Sequence, residues 1–571
     1  MRYVPSRRGP PLASRRGMQR TLLALLLATA GLAFARHPKI SADLDGLPPD
    51  KTVDVIIQYK HVPSEAHHQR VRGRGGLHKR SLDVIRGSLY SVPAGAMEEL
   101  AADPDVAFIS PDREVRGALD LTAAAVNAGA AATYKLDGTG IGIAVLDSGV
   151  NYADDLDYPT TRVVYNQDFT GEGRTNDPYG HGTHVSGAAA GSGYDSNFAK
   201  ISTRTFKGIA PNANIINLRV LNSQGAGSDS AVIAAIQRAI ALKSQYNIRV
   251  MNLSLGRPVY GSYTQDPLCQ AVESAWNAGI VVVVAAGNQG RNNNGGIDGY
   301  GTITSPGNDP YVITVGAMKT MNTPGRTDDQ IASYSSKGPT LYDHVVKPDL
   351  VAPGNQVRST YGMASSMQTY LWANYSVTHL PASYYLLNQY PGSVSGNYDI
   401  LSGTSMATPV VSGAAALLIQ QHPSLTPDQV KARLMKTAYK TFPASSTATD
   451  STTGQTYTSY YDIFTIGAGY LDIQAALANS DLANGSALSP TAVYNSATNN
   501  GALSFAAGST WGTSVAWGTN VVWGTTNGFN VVWGTGTNGT IDPANVVWGT
   551  SGTAIDATVI DPMAVLTQGE K

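Results

Sequence analysis

Between about Gly138 and Ile473 the chain alternates short apolar runs with helical periods, and this alternation narrows the fold more than any other feature of its 571 residues. The runs Ile141 to Leu146, Ala213 to Leu218, Val250 to Leu255, Ile280 to Ala286 and Tyr311 to Ala317 are almost continuously apolar. A strand that is apolar on both faces has to be covered on both, which is the pattern of a parallel sheet enclosed by helices. Two covering helices are readable: Ser228 to Leu242 sets Ile233, Ile236 and Ile240 on one face behind a Ser228/Asp229 cap, and Pro267 to Ala278 is a second. The fold class is therefore α/β, a mostly parallel sheet flanked by helices.

The segments on either side differ in composition. Residues 1–35 have an arginine-bearing start (Arg7, Arg8, Arg15, Arg16, Arg20), an apolar run Thr21 to Leu32 and the small-residue end Ala33-Phe34-Ala35, which reads as a signal peptide. The apolar run is well short of the roughly 20 residues that span a bilayer. A secreted or extracytoplasmic product with no stable membrane span after signal removal is expected. Residues 36–117 supply strand-like Val53 to Tyr59, a basic stretch from His67 to Arg80 and strand-like Val106 to Ile109, enough for a small α+β unit. The basic stretch reads as solvated surface, and a formal net charge of −1 offers no field for nucleic acid. Cys269 is the single cysteine, so no intrachain disulfide can form, and with no accompanying motif it reads as a small buried hydrophobe.

Past Asp481 the chain turns rich in Gly, Thr, Asn and Ser, and Trp-Gly-Thr recurs at Trp511, Trp517, Trp523, Trp533 and Trp548. The spacings of 6, 6, 10 and 15 residues are too irregular for a solenoid. A β-prone tail that packs on the main domain or on itself is the preferred reading; an aromatic surface for glycan or partner binding is the other.

Three motifs carry chemistry: Ala144-Val145-Leu146-Asp147-Ser148-Gly149, Gly180-His181-Gly182-Thr183-His184-Val185-Ser186-Gly187 and Ser402-Gly403-Thr404-Ser405-Met406-Ala407-Thr408-Pro409. Each alone is ambiguous. Asp-Ser-Gly also marks aspartic peptidases, but no second such motif occurs. His181 and His184 are spaced for a metal, yet no adjacent glutamate supplies the base of a zinc peptidase. Taken together they run Asp, His, Ser, the subtilisin order, which excludes the Ser, Asp, His order of α/β-hydrolases.

With Met251-Asn252-Leu253-Ser254-Leu255-Gly256, Ala285-Ala286-Gly287-Asn288 and Val346-Lys347-Pro348-Asp349-Leu350-Val351-Ala352-Pro353-Gly354, the chain closely resembles the subtilase family over roughly Gly138 to Leu477. The resemblance implies a serine-type endopeptidase acting on protein or peptide substrates, with Ser405 as nucleophile, His181 as base, Asp147 as its orienting partner and Asn288 as a donor to the oxyanion. It implies that Ser254, Leu255 and Gly256 form one wall for an extended substrate, that Ser223 to Gly227 form a second, and that Ala285, Ala286 and Gly287 line the first pocket. It implies four parts: signal peptide 1–35, inhibitory prodomain 36–117, catalytic domain 118–480 and tail 481–571. The prodomain would be an intramolecular inhibitor in a zymogen. No cofactor is required for this chemistry; a structural calcium is possible, and Asp154, Asp155 and Asp157 are oxygen donors whose spacing defines no site. The segment Val357 to Ile400, Tyr- and Ser-rich, is longer than the family usually carries and either borders the cleft or is a surface loop. The rival from another class is an inactive scaffold acting in adhesion or display through its tail.

Overall fold

The computed structural model describes residues 37–41, 44, 46–111, 121–197, 201–292, 297–362, 369–450, 453–495, 500–512 and 562–570. The signal-like segment and Trp517, Trp523, Trp533 and Trp548 lie outside the described residues. The chain divides into two compact units, Met1–Arg116 and Gly117–Lys571.

In the first unit β1 (Thr52–Tyr59), α1 (Glu65–Arg72), β2 (Leu77–Leu82), β3 (Gly87–Pro93), α2 (Met97–Ala101) and β4 (Val106–Pro111) form an antiparallel sheet in the order β2-β3-β1-β4 with two helices. Alternate residues of β1, Val55, Ile57 and Tyr59, turn inward and pack with Tyr90, Val92, Leu100 and Ile109, so this unit has its own core. The basic stretch is largely neutralised at the surface: Arg70 pairs with Asp103 and Asp105, Arg72 with Glu65, Arg74 with Glu99, and Lys79 with Asp54. His67 and His68 depart from the solvated reading. Both are buried, His67 because its Nδ1 caps α1 at Ser64 and His68 because it meets the Tyr90 hydroxyl at 2.8 Å.

The second unit is built on β5 (Gly142–Asp147), β6 (Val163–Asp168), β7 (Asn214–Arg219), β8 (Ile248–Leu253), β9 (Val281–Ala285), β10 (Ile313–Lys319), β11 (Gln330–Ile331) and β12 (Leu350–Pro353). The sheet runs β11-β10-β9-β8-β5-β7-β6, with β12 beside β10. Every pairing is parallel except β10 with β11. Each residue of β5, β9 and β10 is buried, as continuous apolar runs require. One helical layer contains α3 (His181–Ala190) and α6 (Thr404–Gln421); α4 (Asp229–Tyr246) and α5 (Pro267–Asn277) pack together over β5 and β7 to β9. Helix α6 is apolar on nearly all sides and correspondingly buried.

Lys347 and Asp349 explain one motif structurally: both are fully buried and paired at 2.7 Å, with Lys431 at 3.2 Å from the same carboxylate. Cys269 is buried with Sγ 3.3 Å from Asn308 Oδ1, and burial raises its thiol pKa. Residues 481–512 and 562–570 belong to the second unit: Trp511 is buried and its indole N–H donates to the Leu488 carbonyl at 2.7 Å. Among the described residues no helix is long and apolar enough to cross a membrane.

Candidate active site

Parallel strands end at one edge of a sheet, so the residues following β5, β8 and β9 must meet there. Asp147 closes β5, Ser254 follows β8, and Asn288 follows β9. Helices α3 and α6 bring His181 and Ser405 to the same edge in their first turns.

His181 Nδ1 lies 2.7 Å from Asp147 Oδ1, and both side chains are buried. A carboxylate accepts, so the ring proton sits on Nδ1 and Nε2 is left as the base. Burial opposes the imidazolium, but the charge and hydrogen bond of Asp147 outweigh it and raise the His181 pKa above its ordinary value. Asp147 Oδ1 also accepts the Ser148 N–H at 2.7 Å, while Oδ2 is buried without a hydrogen bond.

Asp177, which the sequence reading passed over, fixes the approach to His181. It accepts from Ser148 Oγ, the Gly180 and Thr183 N–H groups and Thr183 Oγ1, all within 2.7–2.8 Å. The loop ahead of α3 is thereby tied to the strand that carries Asp147. Gly180 stands in the left-handed region (φ 103°), where a Cβ would also meet Thr369 Oγ1 at 2.7 Å. His184 points away from the site toward the Val357 carbonyl at 3.0 Å, and burial pushes its pKa down to about 3, so His181 and His184 do not converge on a common ligand.

Ser405 is the second residue of α6, where its N–H is one of the four without an intrahelical partner. Its hydroxyl donates to the Ser254 carbonyl at 3.0 Å. Pro409 sits four residues on and has no N–H to give back, so the Ser405 carbonyl is free to accept from Ser254 Oγ at 2.7 Å. That bond extends through Asn252 to Ser412, locking α6 to the end of β8. Asn288 Oδ1 accepts the Thr404 N–H at 2.9 Å and Thr404 Oγ1 at 3.1 Å. Because the backbone group can only donate, the amide's orientation is fixed and its NH2 is left for the cleft. Gly403 (φ 142°) makes room: a Cβ there would stand 3.1 Å from Asn288 Nδ2.

These groups open on a cavity of about 480 Å³ lined by His181, Ser405 and Asn288, by Ser254, Leu255 and Gly256, and by Leu221 with Gly225 to Ser228. Ser254 to Gly256 border it where the first wall was expected; of the second, Ser223 to Gly227, the residues Gly225 to Gly227 line it and Ser223 and Gln224 do not. Ala285, Gly287 and Thr304 also line it. Ala286 does not. It is fully buried, with its N–H on the Val315 carbonyl and its own carbonyl taken by Thr304, because alternation along the strand sends it to the opposite face from Ala285 and Gly287. Arg257 and Asp229 face the cavity as a mutual pair, a charged feature the sequence reading did not anticipate. The long segment reaches the rim: Tyr370 stacks on Tyr179, a cleft residue, and its N–H bonds the Pro178 carbonyl.

Asp154, Asp155 and Asp157 are not brought together. Asp154 accepts from Tyr152, Asp157 from Thr161 and the Ala153 N–H, and Asp155 is buried against Tyr398 with its pKa raised to about 6 by burial. Among the described residues one His/carboxylate group is close enough to hold an ion, His61, His67 and Asp105 in the first unit. Arg70 already occupies Asp105 Oδ2 at 3.1 Å, and its charge opposes a cation there.

Residues 138–467 match the subtilase family. Serine protease AprX of Bacillus subtilis (strain 168) is 35% identical over 67% of this chain and 81% of its own length. Subtilisin E of the same organism is 32% identical over 64% of this chain and 78% of its own. The crystal structure of a cold adapted subtilisin-like serine proteinase overlaps 54% of this chain and 85% of that chain at 29% identity, with a TM-score of 0.37. The chain belongs to the subtilase family and is a subtilisin-like serine endopeptidase.

Proposed function

We propose that this endopeptidase is exported as a zymogen, frees itself of residues 36–117, and hydrolyses peptide bonds through an acyl intermediate on Ser405. Rotation about Ser405 χ1 carries the hydroxyl from the Ser254 carbonyl to His181 Nε2. His181 takes the proton as Oγ attacks the substrate carbonyl, and Asp147 stabilises the imidazolium. The oxyanion is received by the Ser405 N–H at the amino terminus of α6 and by Asn288 Nδ2. His181 then protonates the leaving amine, and a water deprotonated by the same nitrogen releases the acid and restores Ser405.

The observation that carries this reading is the Asp147–His181 pair at 2.7 Å beside an Asn288 amide whose oxygen is held by Thr404. The chain's own groups supply the chemistry; a bound calcium would serve the fold alone. Substrate would add as a strand between Ser254–Gly256 and the 221–227 edge, with broad preference in the first pocket. A separate core in the first unit supports its reading as a prodomain, and the resemblance supplies its inhibitory role.

The test compares the mass and casein-hydrolysing activity of wild type with Ser405→Ala. Wild type is expected to lose the residues up to about Gly117 and digest casein, with the variant full length and inert. A folded wild type that stays full length and inert would instead favour a scaffold acting through its tail.

A further inference from the structure

Two stretches that the motifs leave unexplained, the long segment ahead of Ser402 and the far end of the chain, meet on one side chain of the cleft. Tyr179, two residues before His181, is buried and lines the cavity that holds Ser405. Its ring stacks on Tyr370 of the helix Tyr370–Asn374, with 5.8 Å between centroids. The two backbones are joined as well: the Tyr370 N–H donates to the Pro178 carbonyl at 2.8 Å and the Leu371 N–H to the Tyr179 carbonyl at 3.0 Å. The Tyr179 hydroxyl meets Met563 Sδ at 3.4 Å, and Met563, from the short helix Pro562–Gln568, lines the same cavity. The tip of the ring also explains Gly225: a Cβ there would lie 2.5 Å from Tyr179 Cζ and 2.6 Å from Cε1, so the edge can pass this close only as glycine.

Met563 is held there by a built anchor. Glu570 is 4% exposed; its carboxylate accepts the Ser333 N–H at 2.9 Å and Ser333 Oγ at 2.7 Å, with Arg291 at 3.3 Å and Lys319 at 3.7 Å. The Asn355 amide closes a ring with the Glu570 backbone, accepting its N–H and donating to its carbonyl, both at 2.7 Å. A buried carboxylate is tolerated only when met by cations and donors in this way. Between anchor and Met563, the Leu566 carbonyl accepts the Ser402 N–H at 2.8 Å.

We propose that Tyr179, held between Tyr370 and Met563, is a specificity-determining residue of the proteolytic reaction, and that with Met563 it forms an apolar wall for the substrate side chain immediately before the one in the first pocket. The inference rests on the peptidase reading of Ser405, in which the edges Ser254–Gly256 and 221–227 take the acyl half of an extended substrate. The wall belongs to that half, because the Tyr179 ring packs on Gly225 of the second edge. It stands close to the reacting bond: its ring centroid is 6.4 Å from that of His181, about two residues of extended chain. The first pocket is built by other residues, Gly256, Ala285, Gly287 and Thr304. Side chains alternate along an extended strand, so the residue before the one that enters this pocket points away from it and meets the wall. Tyr179 and Met563 line the cavity of about 480 Å³ and leave it open. The enzyme accordingly prefers an apolar residue at that position.

The test uses the mature enzyme with its C-terminal segment retained, as checked by mass, and the variants Tyr179→Ala, Tyr179→Phe and Met563→Ala, with each concentration set by active-site titration. Two peptide p-nitroanilides share the residue for the first pocket and differ only in having Leu or Gly immediately before it. A defect in the hydrolytic machinery lowers both rates by one factor, whereas a defect in the wall changes their ratio. Wild type is expected to favour the Leu substrate in kcat/KM by about ten-fold, a common discrimination for apolar contacts. Tyr179→Ala and Met563→Ala should lose most of that preference, and Tyr179→Phe, which keeps the ring, should retain it. The proposal is overturned if active wild type does not favour Leu, if either alanine variant keeps the wild-type ratio, or if Met563→Ala cleaves both substrates faster by one common factor, which would make the segment a plug. Wild type that is folded yet inert on both substrates and on the titrant would overturn the peptidase reading itself.

Discussion

The Thr404 N–H donates to Asn288 Oδ1 at 2.9 Å, and this one contact decides which end of the Asn288 amide faces the substrate. In Asn288→Asp the carboxylate still accepts from Thr404 but offers no donor to an oxyanion. We expect kcat to fall about 10²–10³-fold with little change in KM, the scale known for such a donor in subtilisin itself. Steady-state kinetics on a p-nitroanilide checks this, and an unchanged kcat would remove Asn288 from the oxyanion site.

Asp147 governs the pH at which His181 becomes a base. The His181 pKa is raised, so the acid limb of kcat/KM should lie above pH 6.5, with activity lost as pH falls through it. In Asp147→Asn the burial that opposes the imidazolium is no longer outweighed. The limb should move to lower pH while the rate falls about 10⁴-fold, as expected when the imidazole loses its orienting acceptor. A full pH–rate profile of both proteins measures the two effects separately, and a limb that stays put would deny Asp147 this role.

The strands and the reacting groups were legible because their signals are local. A run such as Val281 to Ala285 announces a doubly covered strand, and the residues at its end must then stand at the sheet edge with Asp147 and Ser254. Ala286 was misplaced because side chains alternate, so of the three successive residues Ala285, Ala286 and Gly287 the middle one faces away from the cavity. Asp177 gives no periodic signal; its role exists only once Ser148 and Gly180 have been brought beside it. The contact of residues 562–570 with Asn355 is further out of reach, since Asn355 and Glu570 are 215 positions apart and neither sits in a recognisable motif.

Gly256 keeps the first pocket open. A Cβ at this position would come within 2.5 Å of Thr304 Oγ1 and 3.2 Å of the Ser305 carbonyl, and both Gly256 and Thr304 line the cavity. Gly256→Val should therefore narrow the pocket. We expect kcat/KM for substrates with Phe at the acyl residue to fall at least about ten-fold relative to Ala, since pocket fit discriminates on that scale. A matched pair of p-nitroanilides provides the measurement, and an unaltered Phe-to-Ala ratio would place the acyl side chain elsewhere.

Asp349 holds two buried cations, Lys347 at 2.7 Å and Lys431 at 3.2 Å, and none of the three lines the cavity of Ser405. Removing the shared anion leaves both ammonium groups uncompensated, so Asp349→Asn should cost about 3–5 kcal/mol of stability. The loss should depend on pH. Burial pushes the Lys431 pKa down to about 7 despite Asp349, so the unfolded chain holds a proton above that pH that the folded chain has given up, and stability gains with rising pH. Without Asp349 both lysines are driven toward their neutral forms, and each neutralisation is easier at higher pH. The gap between the variant and its parent, both carrying Ser405→Ala to prevent self-digestion, should therefore be wider below pH 7 than above it, narrowing as pH rises through the Lys431 pKa of about 7. Urea unfolding at a series of pH values reads this directly; a gap that is constant, or that widens with pH, would mean that Asp349 does not stabilise the charged forms of these lysines.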